Sequence, residues 1–175
     1  FLCPPSQAIA SLPHIFGDCA RPRYNNVTAT LIDQLWQGEA PTINPGAQVE
    51  LLHAGAAARL AIDAVLSGTT GRFQPAGRSM GVDELWAHLQ EFHAEYSRNV
   101  FPALGDTFDL ALFNSYRTGG FPRAYPKTIE LRGDARGALF ETSKALGASQ
   151  TFVSTTVPGQ QRGDHFHTDL VERFL

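Results

Sequence analysis

The sequence predicts an α/β chain that gives way near its end to strands alone. Three observations carry that reading. The apolar run Gln7 to Phe16 (Ala8, Ile9, Ala10, Leu12, Ile15, Phe16) reads as a buried strand of a parallel sheet. Segments of helical period then alternate with short strand-like runs as far as Arg98. A Gly/Pro-punctuated stretch, Gly119-Gly120-Phe121-Pro122-Arg123-Ala124-Tyr125-Pro126, ends that alternation, and only strand-like runs follow. The expected division is therefore residues 1–118 as an α/β part, 119–126 as a connector and 127–175 as the opening of an all-β part.

In order, a polar loop from Asp18 to Asn25 follows the first strand. Asn25 or Asn26 can cap a helix running to Gln37, with Val27, Leu31 and Leu35 on one stripe and Gly38 as its stop. Pro41–Asn44 and Val49–His53 are short strand candidates. Gly55 to Ser67 is Ala-rich and helical, with Ala57, Leu60 and Ala64 facing inward. Gly71–Gln74 is a weak strand. Val82 to Arg98 carries the clearest helical period, through Leu85, Leu89, Phe92 and Tyr96. A short helix over Phe108–Tyr116 lies in an aromatic-rich region. Beyond the connector, Thr128–Leu131, Ala138–Thr142 and Thr151–Thr156 read as strands, with Arg132-Gly133-Asp134 and Pro158-Gly159 as turns.

Composition narrows the class. With 43% hydrophobic and 18% charged residues the 175-residue chain is globular in character. A net charge of -3 argues against nucleic acid or an anionic membrane as partner, and Arg21-Pro22-Arg23 is too small a basic cluster to change that. Two cysteines, Cys3 and Cys19, make no disulfide framework, which points to the cytoplasm. No apolar run reaches membrane-spanning length. The opening residues lack both a Met and the basic residues of a signal peptide, so a piece of a longer protein is expected.

The chemistry concentrates at the end, in Gly159, five residues, His165-x-His167, four residues, then Glu172. On a strand His165 and His167 project from one face, because side chains alternate with period two. Glu172 sits at an odd offset from His167 and joins them only if the chain bends through Thr168-Asp169. Two imidazoles and a carboxylate suit Fe, Zn, Mn or Ni with positions left open.

That pattern resembles the first conserved box of the cupin superfamily, a small β-barrel that often holds a metal. Leu12-Pro13-His14-Ile15-Phe16-Gly17, then Arg21-Pro22-Arg23-Tyr24-Asn25 and a helix, resembles the C-terminal half of an extended short-chain dehydrogenase/reductase, of the NAD-dependent epimerase/dehydratase type. Together with Leu112-Phe113-Asn114-Ser115-Tyr116-Arg117 and Arg132-Gly133-Asp134-x-Arg136-Gly137, the combination is similar to the bifunctional, CapF-like enzymes of bacterial capsule synthesis. The resemblance implies the α/β half of a Rossmann-type reductase followed by the first strands of a cupin barrel. It implies epimerisation at C3 of a UDP-2-acetamido-2,6-dideoxy-4-ketohexose by the cupin, NADPH reduction at C4 by the reductase, and a homodimeric parent protein. By that resemblance His165, His167 and Glu172 are ligands of a divalent metal, zinc among the candidates. Leu12 and Pro13 border the nicotinamide of NADP(H), and His14, Arg21 and Asn25 contact the UDP-sugar.

Departures from the family set an alternative beside this. The Gly-rich phosphate turn, the Y-x-x-x-K pair and the second, His-bearing cupin box are not in these residues. Ser11 stands where the family has Arg and His14 where it has Asn. His53-Ala54-Gly55-Ala56-Ala57 replaces a hydrophobic-Asp-Asp element. A decayed reductase half that serves the cupin as a sugar-nucleotide-binding or dimerisation platform is the second reading; an unrelated metal-binding β-barrel on an α/β scaffold is the third. His88 and His93, five apart on a helix, are about 500° of rotation apart and read as solvated. Asp106 and Asp109 read as caps or surface, and Trp36, Trp86 and the later aromatics as core.

Overall fold

Why the first helix starts and stops where it does is visible at its ends. In the computed structural model, which describes residues 7–146, 149–163, 168, 171 and 173, Asn26 has extended backbone and its side chain accepts from the Ala29 amide at 2.9 Å. The same side chain donates to the Ile15 carbonyl at 3.1 Å, tying the helix to the strand before it. Gly38, at φ 72°, ends the helix in the left-handed conformation that a side chain disfavours.

The elements run β1 (Ala8–Ala10), β2 (His14–Phe16), α1 (Val27–Gln37), β3 (Gln48–His53), α2 (Ala54–Leu66), β4 (Gly71–Phe73), β5 (Arg78–Gly81), α3 (Val82–Tyr96), β6 (Val100–Phe101), α4 (Thr107–Gly119), β7 (Arg132–Asp134), β8 (Gly137–Ala145) and β9 (Ser149–Ser154). The single buried strand expected over Gln7–Phe16 is instead two strands in two sheets. β1 pairs parallel with β4, whereas β2 pairs parallel with β3. Pro13 lies in the break, and it has no N–H to give a ladder. β1 is exposed throughout, Ile9 at 42%. β5 completes the second sheet, in the order β2-β3-β5, by pairing antiparallel with β3. No alternation in Arg-Ser-Met-Gly announced it. Gly77 makes its approach possible, since a Cβ there would meet the Leu51 carbonyl oxygen at 2.6 Å.

The core lies where α1, α3 and α4 meet this sheet. Leu85, Leu89, Phe92 and Tyr96 of α3 are buried against Leu31 and Ile32 of α1, Leu112, Phe113 and Tyr116 of α4, and Phe16, Val49 and Leu51 of the strands. The period read from Val82 onward thus does what it predicted. On α2 only Ala64 is buried, and Leu60, expected inward, is 37% exposed. Pro41–Asn44 and Thr128–Leu131 form no strand. Arg132–Asp134, expected as a turn, is strand β7, paired with β8; the turn comes just after it.

The expected connector also does more than join. Gly119 ends α4, and buried Gly120 lies under the Trp36 indole, where a Cβ would come within 2.5 Å of the ring. Trp36 stacks on Tyr116 with ring centroids 4.9 Å apart and donates its Nε1–H to the Tyr116 carbonyl at 2.9 Å. Beyond the connector β8 carries β7 and β9 antiparallel and β6, from the helical part, parallel.

Candidate functional site

Two cavities flank the loop between β2 and α1. The first, of about 600 Å³, is lined by His14 at the start of β2, Asn25 and Asn26 at the N-terminus of α1, Thr30 and Gln34 one and two turns on, and Pro41–Ile43 opposite. The helix start supplies unpaired backbone N–H groups and the positive end of the helix dipole. Asn25 sits at φ 49°, a conformation Asn tolerates better than most residues. The loop is braced by the Arg23 amide donating to Thr30 Oγ1 at 2.8 Å, while that hydroxyl donates to the Asn26 carbonyl at 2.7 Å. His14 and Asn25, two of the three residues expected to contact a nucleotide-sugar, therefore line one cavity.

Arg21, the third, lines the other cavity, of about 420 Å³, on the opposite side of the loop with Gly17, Cys19, Asp33, Ser115 and Arg123. Its guanidinium lies over the Tyr24 ring, 5.2 Å from the centroid. Behind it the nearly buried Asp33 carboxylate accepts from Arg123 at 2.9 Å, Gln37 at 2.7 Å and Arg23 at 3.4 Å, and Arg23 also pairs with Glu39 at 2.8 Å. The Arg123 hydrogen bond, outweighing burial, holds the Asp33 carboxyl below its ordinary pKa. This bridge from loop to connector had no sequence signal, because its members lie far apart along the chain. Leu12 and Pro13 line neither cavity; they sit between β1 and β2, Leu12 47% exposed and Pro13 half-buried.

His165, His167 and Glu172 lie outside the described residues, as does Asp169 of the bend proposed to bring them together. Among the described residues no group of three His, Cys, Asp or Glu side chains is placed to hold a metal ion.

A further cluster was missed. His93, expected in solvent, is half-buried: its Nδ1 lies 3.1 Å from the Tyr116 hydroxyl and its ring meets Trp36 edge-on at 4.9 Å. Burial, and then the nearby Lys127 charge, lower its pKa. Lys127, just past the connector, reaches back to lie 3.1 Å over the Tyr96 ring and donate to the Tyr96 carbonyl. Tyr96 shares a 2.8 Å hydrogen bond with Tyr125 and accepts from Arg117 Nε at 3.2 Å. Burial and the Arg117 charge push Lys127 down to about 8. Burial raises the Tyr116 hydroxyl well above its ordinary value. Asp106 does what was expected, capping α4 through the Phe108 and Asp109 amides at 2.8 and 2.9 Å.

Comparison with known proteins joins these observations. Over 171 residues the chain is 26% identical to the UDP-2-acetamido-2,6-beta-L-arabino-hexul-4-ose reductase of Pseudomonas aeruginosa, covering 95% of this chain and 46% of that protein. The chain thus spans about half the length of the curated relative it matches. The capsular polysaccharide assembling protein CapF of Staphylococcus aureus superposes with a TM-score of 0.76 at 23% identity, covering 91% of this chain and 45% of that one. CapF crystallised with the inhibitor 3-isopropenyl-tropolone gives 0.77, again at 23%, over 91% and 48%. No helix among the described residues is long and apolar enough to cross a membrane. The mixed α/β fold is that of CapF over nine-tenths of this chain, and residues 132–175 match the polysaccharide biosynthesis C-terminal domain.

Proposed function

We propose that this chain is the sugar-nucleotide-binding part of a nucleotide-sugar-modifying reductase, joined to the opening strands of a metal-binding cupin barrel. The observation that carries the reading is the cavity shared by His14, Asn25 and the start of α1. A helix N-terminus beside uncharged donors suits a diphosphate, and His14 and Gln34 offer hydrogen bonds to a base or sugar. The substrate is a UDP-2-acetamido-2,6-dideoxy-4-ketohexose, and the product enters capsular polysaccharide synthesis. His14 and Asn25 orient it. Arg21 acts from the neighbouring cavity on the loop that carries Asn25. The exposed, apolar Leu12 with Pro13 borders the nicotinamide of NADP(H), which supplies hydride for the C4 ketone. The donor set His165, His167 and Glu172 suits a divalent ion, zinc included, whose Lewis acidity would favour loss of the proton beside that ketone. The parent protein works as a cytoplasmic homodimer without nucleic acid or membrane.

Titration with UDP, followed calorimetrically, tests the cavity. Saturable binding weakened about tenfold by Asn25→Ala and by His14→Ala is expected. Absence of saturable UDP binding, or binding indifferent to both changes, overturns the assignment. One observation favours the platform reading over a working reductase: His53 packs its ring 5.4 Å from Phe16, in the stretch where the reductases carry two acidic residues. Steady NADPH oxidation by the parent protein with a 4-ketohexose substrate would exclude that reading.

A further inference from the structure

Where α4 meets the connector, two cations stand together without a counter-ion. Among the described residues neither Arg117 nor Lys127 enters an ion pair, although nine others are formed. Both converge on Tyr96, Lys127 at 3.1 Å and Arg117 at 5.5 Å from its ring centroid. The groups facing them are His93 and Tyr96 from α3, Tyr116 from α4, Tyr125 from the connector and, on the crevice beside Arg117, the Asp18 carboxylate, which forms no ion pair with either. Holding like charges together in a partly desolvated place is unfavourable, and the depressed Lys127 is its signature.

Arg117 also opens onto a crevice of about 350 Å³, within the range of small-molecule sites, whose other walls are Asp18, Asn114, Thr118, Phe121 and Tyr125. Phe121 is 68% exposed there, with the Tyr125 ring beside it at 6.1 Å. A large aromatic held in water at the mouth of a polar crevice offers a platform for an apolar ring face. Asp18 and Asn114 across from it offer acceptors and donors for hydroxyl groups. Within the lining Arg117 and Asp18 balance, and Lys127, outside it on the Tyr96 ring that Arg117 also meets, leaves one positive charge nearby, which matches a monoanionic carboxylate better than a phosphate dianion. The planar guanidinium fork fits a carboxylate as well.

We propose that this crevice binds a sugar bearing a carboxylate, of the uronic acid class, with the carboxylate on Arg117, hydroxyls on Asp18 and Asn114, and the ring face on Phe121. The site is separate from the cavity of His14 and Asn25 and does not rest on the function proposed for it. Lys127, which does not line the crevice, meets the same Tyr96 ring as Arg117 and adds charge. Its pKa then rises when the anion arrives, so binding takes up protons near pH 8.

Calorimetric titration at constant ionic strength with glucuronate, glucose, acetate and inorganic phosphate tests this. Glucuronate is expected to saturate the protein at least tenfold more tightly than each of the other three. Arg117→Met should weaken glucuronate about tenfold or more, and Phe121→Ala should weaken it several-fold. Lys127→Arg, which keeps the charge and guards against a folding defect, should retain binding while abolishing the proton uptake seen by comparing buffers at pH 8. Glucuronate no tighter than acetate, phosphate binding as tight as glucuronate, or full affinity in folded Arg117→Met would each overturn the proposal.

Discussion

The two parts of the molecule are held together by different means. Every buried hydrophobic side chain among the described residues lies at or before Tyr116, in the helices and the β2-β3-β5 sheet. β9 is exposed along its whole length, with Phe152 and Val153 more than two-fifths open to solvent, and β8 is at most half-buried. The first part is stabilised by apolar burial. The second is a set of strand ladders, attached through β6 and through the Lys127–Tyr96 contact. Among the described residues neither face of β9 is covered, and a strand so exposed has room for a partner. The difference teaches that the residues proposed as metal ligands follow, in sequence, the part with the least apolar burial.

The largest expected effect probes that contrast directly. Leu89 has no exposure at the centre of α3, so Leu89→Ala should lower unfolding free energy by about 2–5 kcal/mol. Val153 on β9 is 48% exposed, and Val153→Ala should change it by about 0.5 kcal/mol or less. Urea denaturation measures both. Equal losses would mean that β9 is buried in solution, against a second copy or further chain, and the comparison would break.

Next in size is the seam between the parts. Gly120 has ordinary backbone, φ -78°, so its requirement is space and not conformation. Gly120→Ala forces the Trp36 indole off Tyr116 and should cost about 1–3 kcal/mol, with a change in the near-ultraviolet signal of Trp36. A neutral substitution would show that the indole has room to move.

How much of this was legible follows the same division. Helices α1, α3 and α4 could be read because their signals are local: an Asn cap, a Gly stop, and apolar residues recurring at 3.6. The short strands were harder. β5 and β7 exist because other strands are there to pair with them, and nothing in Arg-Ser-Met-Gly or Arg-Gly-Asp says so. His14 and Asn25 were picked out through family resemblance, and the cavity they share depends on the fold of α1 against Pro41–Ile43. His93 was misjudged because rotation along its own helix carries no word of Trp36 or Tyr116. The Asp33 and Lys127 contacts join residues dozens of positions apart, and only tertiary structure brings them together.

The smallest expected effect is also the sharpest probe of the attachment. Lys127 has a folded pKa near 8 against an ordinary value of 10.5, so between those values the unfolded chain binds more protons than the folded one. Stability contributed by this group therefore rises with pH across that window, and the burial penalty is fully present below it. Tyr96 and Tyr116 act in the opposite sense, since burial raises both; their contribution is lost only once pH passes the ordinary tyrosine value near 10. Melting temperature measured from pH 7.5 to 9.5 isolates the lysine. The wild-type chain should gain stability over that range relative to Lys127→Met, by about a degree or two. If the two curves run parallel, Lys127 keeps its ordinary pKa and stands in solvent. The connector would then be fixed to the helical part by Arg123–Asp33, the Tyr125–Tyr96 hydrogen bond and the Trp36 seam.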